Sequence, residues 1–157
     1  MSIDASAFRN LLGRFATGVT VVTAAGADGV QQGMTVSAFS SLSLEPPLVL
    51  MCIDKAATMF EILTTCEKFT VNILSEHQEE IARRFATTET TKFEGVGYSL
   101  VDDDAVLDDV LAHAQCTRVN SVEAGDHTIV IGEVRSASVR DGTHLLYFRG
   151  GYSSLGR

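Results

Sequence analysis

The sequence lacks several features that would define its class at once. It has no tryptophan, only two prolines and only three cysteines among 157 residues. Cys52, Cys66 and Cys116 are odd in number and far apart, so they predict buried thiols rather than a disulfide framework. No apolar run approaches the roughly 18 residues that cross a bilayer, and the N-terminus lacks the basic-then-apolar order of a secretory signal. We therefore expect a cytoplasmic protein with no membrane partner.

Positive charge is also scarce. Twelve basic residues accompany twenty acidic ones, which gives a net charge of −8. A basic surface is the first sign of nucleic-acid binding, so no nucleic-acid partner is expected. The same charge would repel an anionic cofactor, so a phosphate site must supply its own local positive groups. The four histidines are scattered, and no Cys/His cluster has zinc spacing, so we predict no metal site.

Common catalytic motifs are missing as well. No G-x-G-x-x-G opens a helix, and there is no G-x-S-x-G nucleophile elbow. We therefore assign no catalytic residue from the sequence. Binding groups without a catalytic dyad suit an enzyme whose cofactor carries the chemistry.

The residues that are present predict a mainly β fold with a few helices. The length favours a single domain over residues 1–157. The predicted strands, about seven in number, are 19–23, 30–37, 48–53, 69–74, 112–122, 128–139 and 144–148. The predicted helices are 4–16, 56–66 and 77–86. Hairpin signals at 27–29 and 141–142 predict mostly antiparallel pairing, and such a sheet should close into a barrel or fold onto itself.

Two polar segments are predicted to lie outside the strands and helices. Residues 87–97 are threonine-rich and glycine-punctuated, which predicts a loop. The acidic run Asp102, Asp103 and Asp104 could hold a cation, but a solvated turn explains it better.

The segment from Gly33 to Ser41 offers the first set of binding groups. Gly33 would let a ligand or a neighbouring strand approach the backbone. Thr35 and Ser37 should face the same side of a strand, and the serines that follow can bond anionic oxygens. A β-edge followed by a serine-rich turn explains the same residues.

Asp54, Lys55 and Thr58 form the second set, where a buried strand ends and a helix is predicted to begin. A helix N-terminus attracts phosphate, while Lys55 adds a charge and Thr58 a hydroxyl. Asp54 would equally serve as the cap of that helix. Two further candidates are His127, which could also be simply solvated, and Tyr152, which would stack on a ring or cover the core.

In order and spacing, these segments resemble the flavin reductase-like family of FMN-binding split β-barrels. The resemblance covers nearly the whole chain. The matching segments are F-A-T-G-V-T-V-V-T, G-M-T-V-S-A-F-S-S-L-S-L-E-P-P-L-V-L-M-C-I-D-K, F-T-V-N-I-L with a helix ending R-R-F-A, G-D-H, and L-L-Y-F-R-G-G-Y. Within the family the chain is most similar to the NAD(P)H:flavin oxidoreductases that serve two-component flavin monooxygenases.

The resemblance implies a flavin site built from residues of the second quarter of the chain. The residues implied at the ring, ribityl chain and phosphate are Thr35, Val36, Ser37, Ala38, Ser40, Ser41, Cys52, Asp54, Lys55 and Thr58. The ring contacts are implied to be largely through backbone groups, and the phosphate contacts through Lys55 and Thr58. Asp54 departs from the family pattern, because many relatives have a neutral residue there.

The resemblance also implies residues around the flavin. His127 and Tyr152 would lie on the nicotinamide side. Lys92 and Phe93 resemble an Arg-Phe pair on a loop that reaches toward the other subunit, with lysine as a departure from that pattern.

The implied activity is hydride transfer from the nicotinamide to flavin N5 in a homodimer, with the flavin near the subunit interface and reduced flavin passing to a monooxygenase. FMN and FAD stay open, as do NADH and NADPH, although the lack of an arginine cluster favours NADH. One alternative is a non-catalytic flavin-binding or electron-carrier protein, which would not need His127 and Tyr152. Another is an oxidase of the pyridoxamine-phosphate type, for which this acidic chain is short of basic residues.

Overall fold

Twelve strands and three short helices form the part of the chain that the computed structural model describes, residues 2–155. The helices are α1 (Ala5–Leu12), α2 (Phe60–Thr65) and α3 (Glu79–Phe85). The strands are β1 (Thr17–Gly18), β2 (Thr20–Ala25), β3 (Gln31–Val36), β4 (Phe39–Leu44), β5 (Pro47–Asp54), β6 (Lys68–Ile73), β7 (Tyr98–Val101), β8 (Asp104–Leu107), β9 (Ala112–Ala124), β10 (His127–Val139), β11 (Leu145–Phe148) and β12 (Gly151–Ser154).

The strands are arranged in three sheets. Seven strands pair in the order β3-β2-β6-β9-β10-β5-β4, three in the order β1-β11-β12, and β7 pairs with β8. Every ladder is antiparallel. The predicted mainly β, antiparallel split barrel is therefore confirmed.

Leu74, just after β6, joins the two larger sheets. Its N–H donates to the Val19 carbonyl over 3.0 Å, and its carbonyl accepts from the Leu145 N–H over 3.3 Å. Buried apolar residues form one core cluster around Phe69 and Met51 and another around Phe85 and Leu74. This connection holds the β11–β12 hairpin and α1 beside the outer strands of the large sheet.

The predicted hairpin at Asp141-Gly142 is wrong. Strand β10 ends at Val139, and β11 pairs with β1 and β12 instead of folding back on β10. The intervening chain crosses between sheets, and the Arg140 N–H donates to the Leu111 carbonyl over 2.7 Å. The strand count was also too low, because short polar strands such as β4 (F-S-S-L-S-L) lack the β-branched runs on which the prediction relied.

Two helices are shorter than predicted. Helix α1 ends at Leu12, where the Gly13 N–H caps the Arg9 carbonyl, and it buries none of its residues. Helix α2 begins at Phe60 rather than at residue 56, because a turn occupies the intervening residues. Helix α3 agrees better with its prediction, and an ion pair between Arg83 and Glu79, four residues apart, spans one turn of it at 2.7 Å. The loop predicted for residues 87–97 is confirmed, since they form no strand or helix.

The acidic run is only partly solvated. Asp102 and Asp103 form an exposed turn with positive φ, as a turn requires. Asp104, however, starts β8 and is only 5% exposed, and its carboxylate lies 2.9 Å from the Arg135 guanidinium. The interpretation of the whole run as a solvated turn is therefore wrong for its last member, because the Arg135 guanidinium compensates the charge of the buried carboxylate.

Strand β5 also differs from its prediction. The sequence predicts a buried strand here, but only Met51 and Ile53 are buried, while Cys52 on the other face is partly exposed. Because neighbouring side chains alternate across a strand, one face of β5 packs on the core and the other is open. Among residues 2–155, no helix is both long and apolar enough to cross a membrane.

Candidate functional site

The open face of β5 forms the floor of a groove of about 650 Å³. Helix α1 and the β11–β12 hairpin form its walls. The lining residues are Arg9, Leu12, Gly13, Phe15, Thr17, Ser37, Ala38, Phe39, Ser40, Leu50, Cys52, Tyr147, Phe148, Arg149 and Gly150. The structure thus brings together four residues that the sequence predicted at the flavin, namely Ser37, Ala38, Ser40 and Cys52.

The groove combines apolar walls with a few polar groups. Phe39, Leu50 and Phe148 supply apolar surface, and Ser37 and Ser40 supply hydroxyls. The hydroxyl of Thr17 is buried and, among the described residues, has no hydrogen-bond partner. Because buried polar groups are normally satisfied, this orphaned hydroxyl indicates that the groove is built to hold a ligand with polar atoms. A flat aromatic ligand with a polar edge fits these residues.

Gly33, Thr35 and Val36 lie on the approach to the groove but turn their side-chain positions into the core. A Cβ at Gly33 would lie 2.7 Å from the Phe85 ring, so the glycine makes room for α3 rather than for a ligand. The Thr35 hydroxyl donates to the Ala82 carbonyl over 2.6 Å, and Val36 is buried. Their side chains are therefore not free to contact a ligand, and the Gly33 and Val36 carbonyls also accept hydrogen bonds, from the Lys92 ammonium and the Thr20 hydroxyl.

Ser41 lies on β4 beside the groove. It is exposed, and its carbonyl accepts from the Ser40 hydroxyl over 2.9 Å. A register shift follows between Ser41 and Ser43, where β4 bulges against β5. The bulge is a feature that commonly redirects side chains next to a site.

A second polar cluster lies where β5 meets the β9–β10 hairpin. Asp54 is opposite His127 in the strand register, and the Lys55 N–H donates to the Asp126 carbonyl over 3.0 Å. The Lys55 ammonium lies 3.4 Å from the Glu123 carboxylate. The structure therefore brings Asp54 and Lys55, which the resemblance implies at the phosphate, next to His127, which it implies on the nicotinamide side.

The predicted helix N-terminus behind Lys55 is absent from this turn. Lys55 and Thr58 are both exposed in the turn that precedes α2. Asp54 caps the turn itself, since its carboxylate accepts from the Ala56 N–H over 2.8 Å. A phosphate here would rely on the lysine charge and the threonine hydroxyl rather than on a helix dipole.

His127 and Tyr152 lie in different sheets. The His127 ring is 2.7 Å from the Asp126 carboxylate, and this hydrogen bond lowers the pKa of Asp126. Tyr152 stacks at 5.4 Å on Tyr147, and burial raises the pKa of its phenol. Neither His127 nor Tyr152 lines the groove, but Tyr152 adjoins it through Tyr147.

Lys92 and Phe93, implied by the resemblance to lie on a loop that reaches toward the other subunit, both make contacts inside their own chain. Lys92 is only 6% exposed, and its ammonium donates to the Gly33 carbonyl over 3.2 Å. Burial lowers the pKa of this ammonium. The Phe93 ring packs edge-on against Phe85 at 5.1 Å. The same ammonium also donates to the Phe85 carbonyl at the end of α3, over 3.5 Å.

Sequence reasoning missed several groove residues. Thr17, Tyr147 and Phe148 belong to the quoted segments F-A-T-G and L-L-Y-F, so the signal was present without an assignment to individual residues. It also missed a group of arginines, Arg9, Arg14 and Arg149, around one hollow beside the groove. The expectation that the chain lacks an arginine cluster is therefore wrong, because its members come from opposite ends of the sequence.

Comparison with known proteins agrees with this geometry. Residues 12–156 match the family model described as a flavin reductase like domain. A flavin reductase of Pseudomonas putida is 42% identical over 156 residues, which cover 98% of this chain and 92% of the relative. The reductase component of a Rhodococcus opacus 4-nitrophenol 4-monooxygenase/4-nitrocatechol 2-monooxygenase is 40% identical over 148 residues, with 94% and 80% coverage.

A solved structure is similar over almost its whole length. The NADH:FAD oxidoreductase SgcE6 of Streptomyces globisporus, in complex with NAD and FAD fragments, has a TM-score of 0.93 and 36% identity, with 98% of this chain and 93% of that chain covered. The chain therefore belongs to the flavin reductase-like family. Its activity is that of an NAD(P)H:flavin oxidoreductase, and the predicted enzyme class is confirmed.

Proposed function

We propose that the groove holds the flavin ring while a nicotinamide donor, NADH, approaches from its open side. The observation that carries this proposal is the buried, unpartnered Thr17 hydroxyl among apolar groove walls and serine hydroxyls. Together these groups match a tricyclic ring with polar atoms along its edges. We place the backbone N–H groups of Ser37 and Ala38, which line the groove, along one side of that ring, with Thr35 and Val36 preceding them in the chain.

Bound flavin supplies the chemistry, which is acceptance of a hydride at N5. The chain itself positions the two reactants and excludes water from between them. Phe39, Leu50 and Phe148 provide the apolar surface for that purpose, and Thr17 fixes the orientation of the ring by a hydrogen bond. No side chain needs to act as an acid or base for hydride transfer, which agrees with the absence of an assigned catalytic residue.

We assign the flavin phosphate to Lys55 and Thr58. Lys55 has a positive charge close to the end of β5, one residue beyond Asp54 and three beyond the groove residue Cys52. It is exposed and therefore accessible to a ligand. The ion pair between Lys55 and Glu123 must weaken when phosphate binds, because the Glu123 carboxylate and the phosphate compete for the same ammonium.

We propose a homodimer with the flavin near the subunit interface. Helix α1 and the bend that follows it expose an apolar surface, with Leu11 62% and Phe15 74% exposed, and Phe8 and Leu12 also open to solvent. Exposed apolar patches of this kind mark interaction surfaces. Leu12 and Phe15 also line the groove, so a second copy on α1 would cover one side of the ligand.

We further propose that reduced flavin passes to a monooxygenase, as the named role of the Rhodococcus opacus relative suggests. The groove is open along its length, which suits a flavin that must leave after reduction. We place the protein in the cytoplasm, because Cys52, Cys66 and Cys116 are all unpaired, as is usual in a reducing compartment.

The experiment compares Thr17→Val with Thr17→Ser. Flavin binding is followed by fluorescence titration, and activity by NADH oxidation with FMN or FAD. Valine keeps the shape but loses the hydroxyl, so flavin affinity should fall about tenfold, whereas serine should retain it. Thermal stability should not fall in the valine variant, since the lost hydroxyl has no protein partner. Equal flavin affinity in both variants would remove Thr17 from the proposed site.

A further inference from the structure

Three arginines surround a hollow of about 300 Å³ beside the groove. Its lining residues are Arg9, Asn10, Gly13, Arg14, Arg149 and Gly150. The hollow and the groove share the lining residues Arg9, Gly13, Arg149 and Gly150. A ligand that extends out of the groove past the tip of the β11–β12 hairpin therefore meets guanidinium groups.

These guanidinium groups are not neutralised by the protein. Among residues 2–155, no carboxylate forms an ion pair with Arg9, Arg14 or Arg149. Within the part of the chain that the structure describes, the Arg14 side chain bonds only the neutral Asn10 side chain, at 3.3 Å, and no acidic residue lines the hollow. In a chain with a net charge of −8, this is a local positive site of the kind that an anionic ligand requires.

The dipole of α1 explains only part of the cluster. Arg9 lies in the last turn of α1, and Arg14 follows directly, so both positive charges stabilise the carbonyl end of that helix. Arg149 belongs to a different element and joins them through its N–H, which donates to the Gly13 carbonyl over 2.9 Å. Its side chain lies over a groove residue, with the guanidinium carbon 5.5 Å from the centre of the Phe148 ring.

The backbone at Arg149 is unfavourable for arginine. Arg149 and Gly150 form the two-residue loop of the β11–β12 hairpin, with φ of 53° and 77°. Two-residue loops with positive φ at both positions favour Asn-Gly or Gly-Gly, because other side chains are strained there. An arginine at a position that prefers asparagine indicates that its side chain has a role beyond the turn.

We propose that this hollow binds the diphosphate of a dinucleotide in the groove, either the nicotinamide donor or FAD. Guanidinium groups form paired, charge-assisted hydrogen bonds to phosphate oxygens. The inference rests on the proposed flavin site, which assigns the phosphate nearest the ribityl chain to Lys55 and Thr58. Neither of those residues lines the groove or the hollow, so the hollow serves a different phosphate group.

The test uses Arg149→Asn and Arg14→Gln, with Arg140→Gln as the matched control. Arg140 is an exposed arginine outside the hollow, 3.5 Å from Asp109. Calorimetric titrations compare NAD⁺ with nicotinamide mononucleotide, and FAD with FMN. Each hollow variant should weaken binding of one dinucleotide about tenfold while leaving its mononucleotide unchanged, and the control should change neither. If the variants weaken NAD⁺ binding, the hollow binds the diphosphate of the nicotinamide donor; if they weaken FAD binding, it binds the diphosphate of FAD.

The proposal is overturned if the hollow variants bind both dinucleotides like the wild type, or if mononucleotides are weakened equally. Arg149→Asn should also unfold at an equal or higher urea concentration than the wild type, because asparagine suits the turn. A drop in both stability and binding in this variant would make Arg149 a structural residue and overturn its assignment. If the wild type fails to oxidise NADH with flavin, the proposed function fails; if it succeeds while the hollow variants bind normally, only this inference fails.

Discussion

The three cysteines differ in location and burial. Cys52 lines the groove, Cys66 is partly buried after α2, and Cys116 is fully buried in the sheet. Burial raises the pKa of Cys116 to about 12 and also raises that of Cys66. Because the thiolate is the reactive form, these two residues have almost no reactive fraction at neutral pH. The expectation of inert buried thiols thus holds for Cys116 and does not extend to Cys52.

We predict that an alkylating reagent at neutral pH labels Cys52 first and Cys116 last. Saturating FMN should protect Cys52, because the ligand would cover it in the groove. Site-resolved mass spectrometry measures both effects. Labelling of Cys116 should rise only as the pH approaches about 12 or the protein unfolds. Equal rates at Cys52 with and without flavin would contradict the placement of the ligand.

Close packing of the Phe85 ring against the backbone requires glycine at position 33. A Cβ there would lie 2.7 Å from the Phe85 ring, so Gly33→Ala should reduce the free energy of unfolding by about 1–3 kcal/mol. Urea unfolding measures the change. Gly18→Ala is the control, because a Cβ at Gly18 has no neighbour within 4 Å. In the Gly33→Ala variant, adding Phe85→Leu should recover part of the lost free energy of unfolding. If the effects of the two substitutions simply add, the contact with Phe85 is not the cause of the loss.

At the scale of elements, the end of β5 and the β9–β10 hairpin form one charged unit. If Lys55 binds the flavin phosphate, Glu123 competes for the same ammonium at 3.4 Å. Glu123→Gln should therefore tighten FMN binding, and Lys55→Met should weaken it about tenfold. Fluorescence titrations at low and high salt measure this, and the differences should shrink as salt screens the charges.

Glu45→Gln provides the control for that experiment, since Glu45 is an exposed acid at the opposite end of β5. It should leave FMN binding unchanged. An unchanged affinity in Lys55→Met would remove the phosphate from this turn. It would also leave the arginine hollow as the nearest positive site to the groove.

The sequence predicted those elements whose residues carry a periodic signal. Strands β2, β6 and β10 contain β-branched or apolar runs and were placed within a few residues of their bounds. Strands β1 and β4 are short or serine-rich, and only pairing with distant strands makes them strands. The position of α1 was predictable, but its outward apolar face was not, because periodicity does not say what covers a helix.

The same reasoning explains which site residues could be predicted. Ser37, Ala38, Ser40 and Cys52 come from one segment around the β4–β5 hairpin, so their proximity follows from local connectivity. Thr17 and Arg149 reach the groove through pairing of β1 with β11, a contact between the two ends of the chain. No spacing within the sequence encodes that contact.

At the scale of the whole molecule, α1 presents an apolar face that we assign to a second copy of the chain. Leu11→Asp would place an unpaired carboxylate in that interface, so it should weaken dimerisation about tenfold or more. Analytical ultracentrifugation over a concentration series measures the dissociation constant. Val30→Asp, at an exposed apolar residue on the β2–β3 turn, is the control. A monomeric wild type would contradict the assignment.

The central claim is that this groove is where flavin is reduced. The most direct measurement mixes the protein with NADH and FMN or FAD without oxygen and follows the loss of visible flavin absorbance. Wild type should bleach the flavin, and Ala38→Leu, which fills the groove, should slow bleaching about tenfold or more, while Ala27→Leu on an exposed turn should not. Absence of bleaching with both flavins, or bleaching by Ala38→Leu at the wild-type rate, would contradict the account.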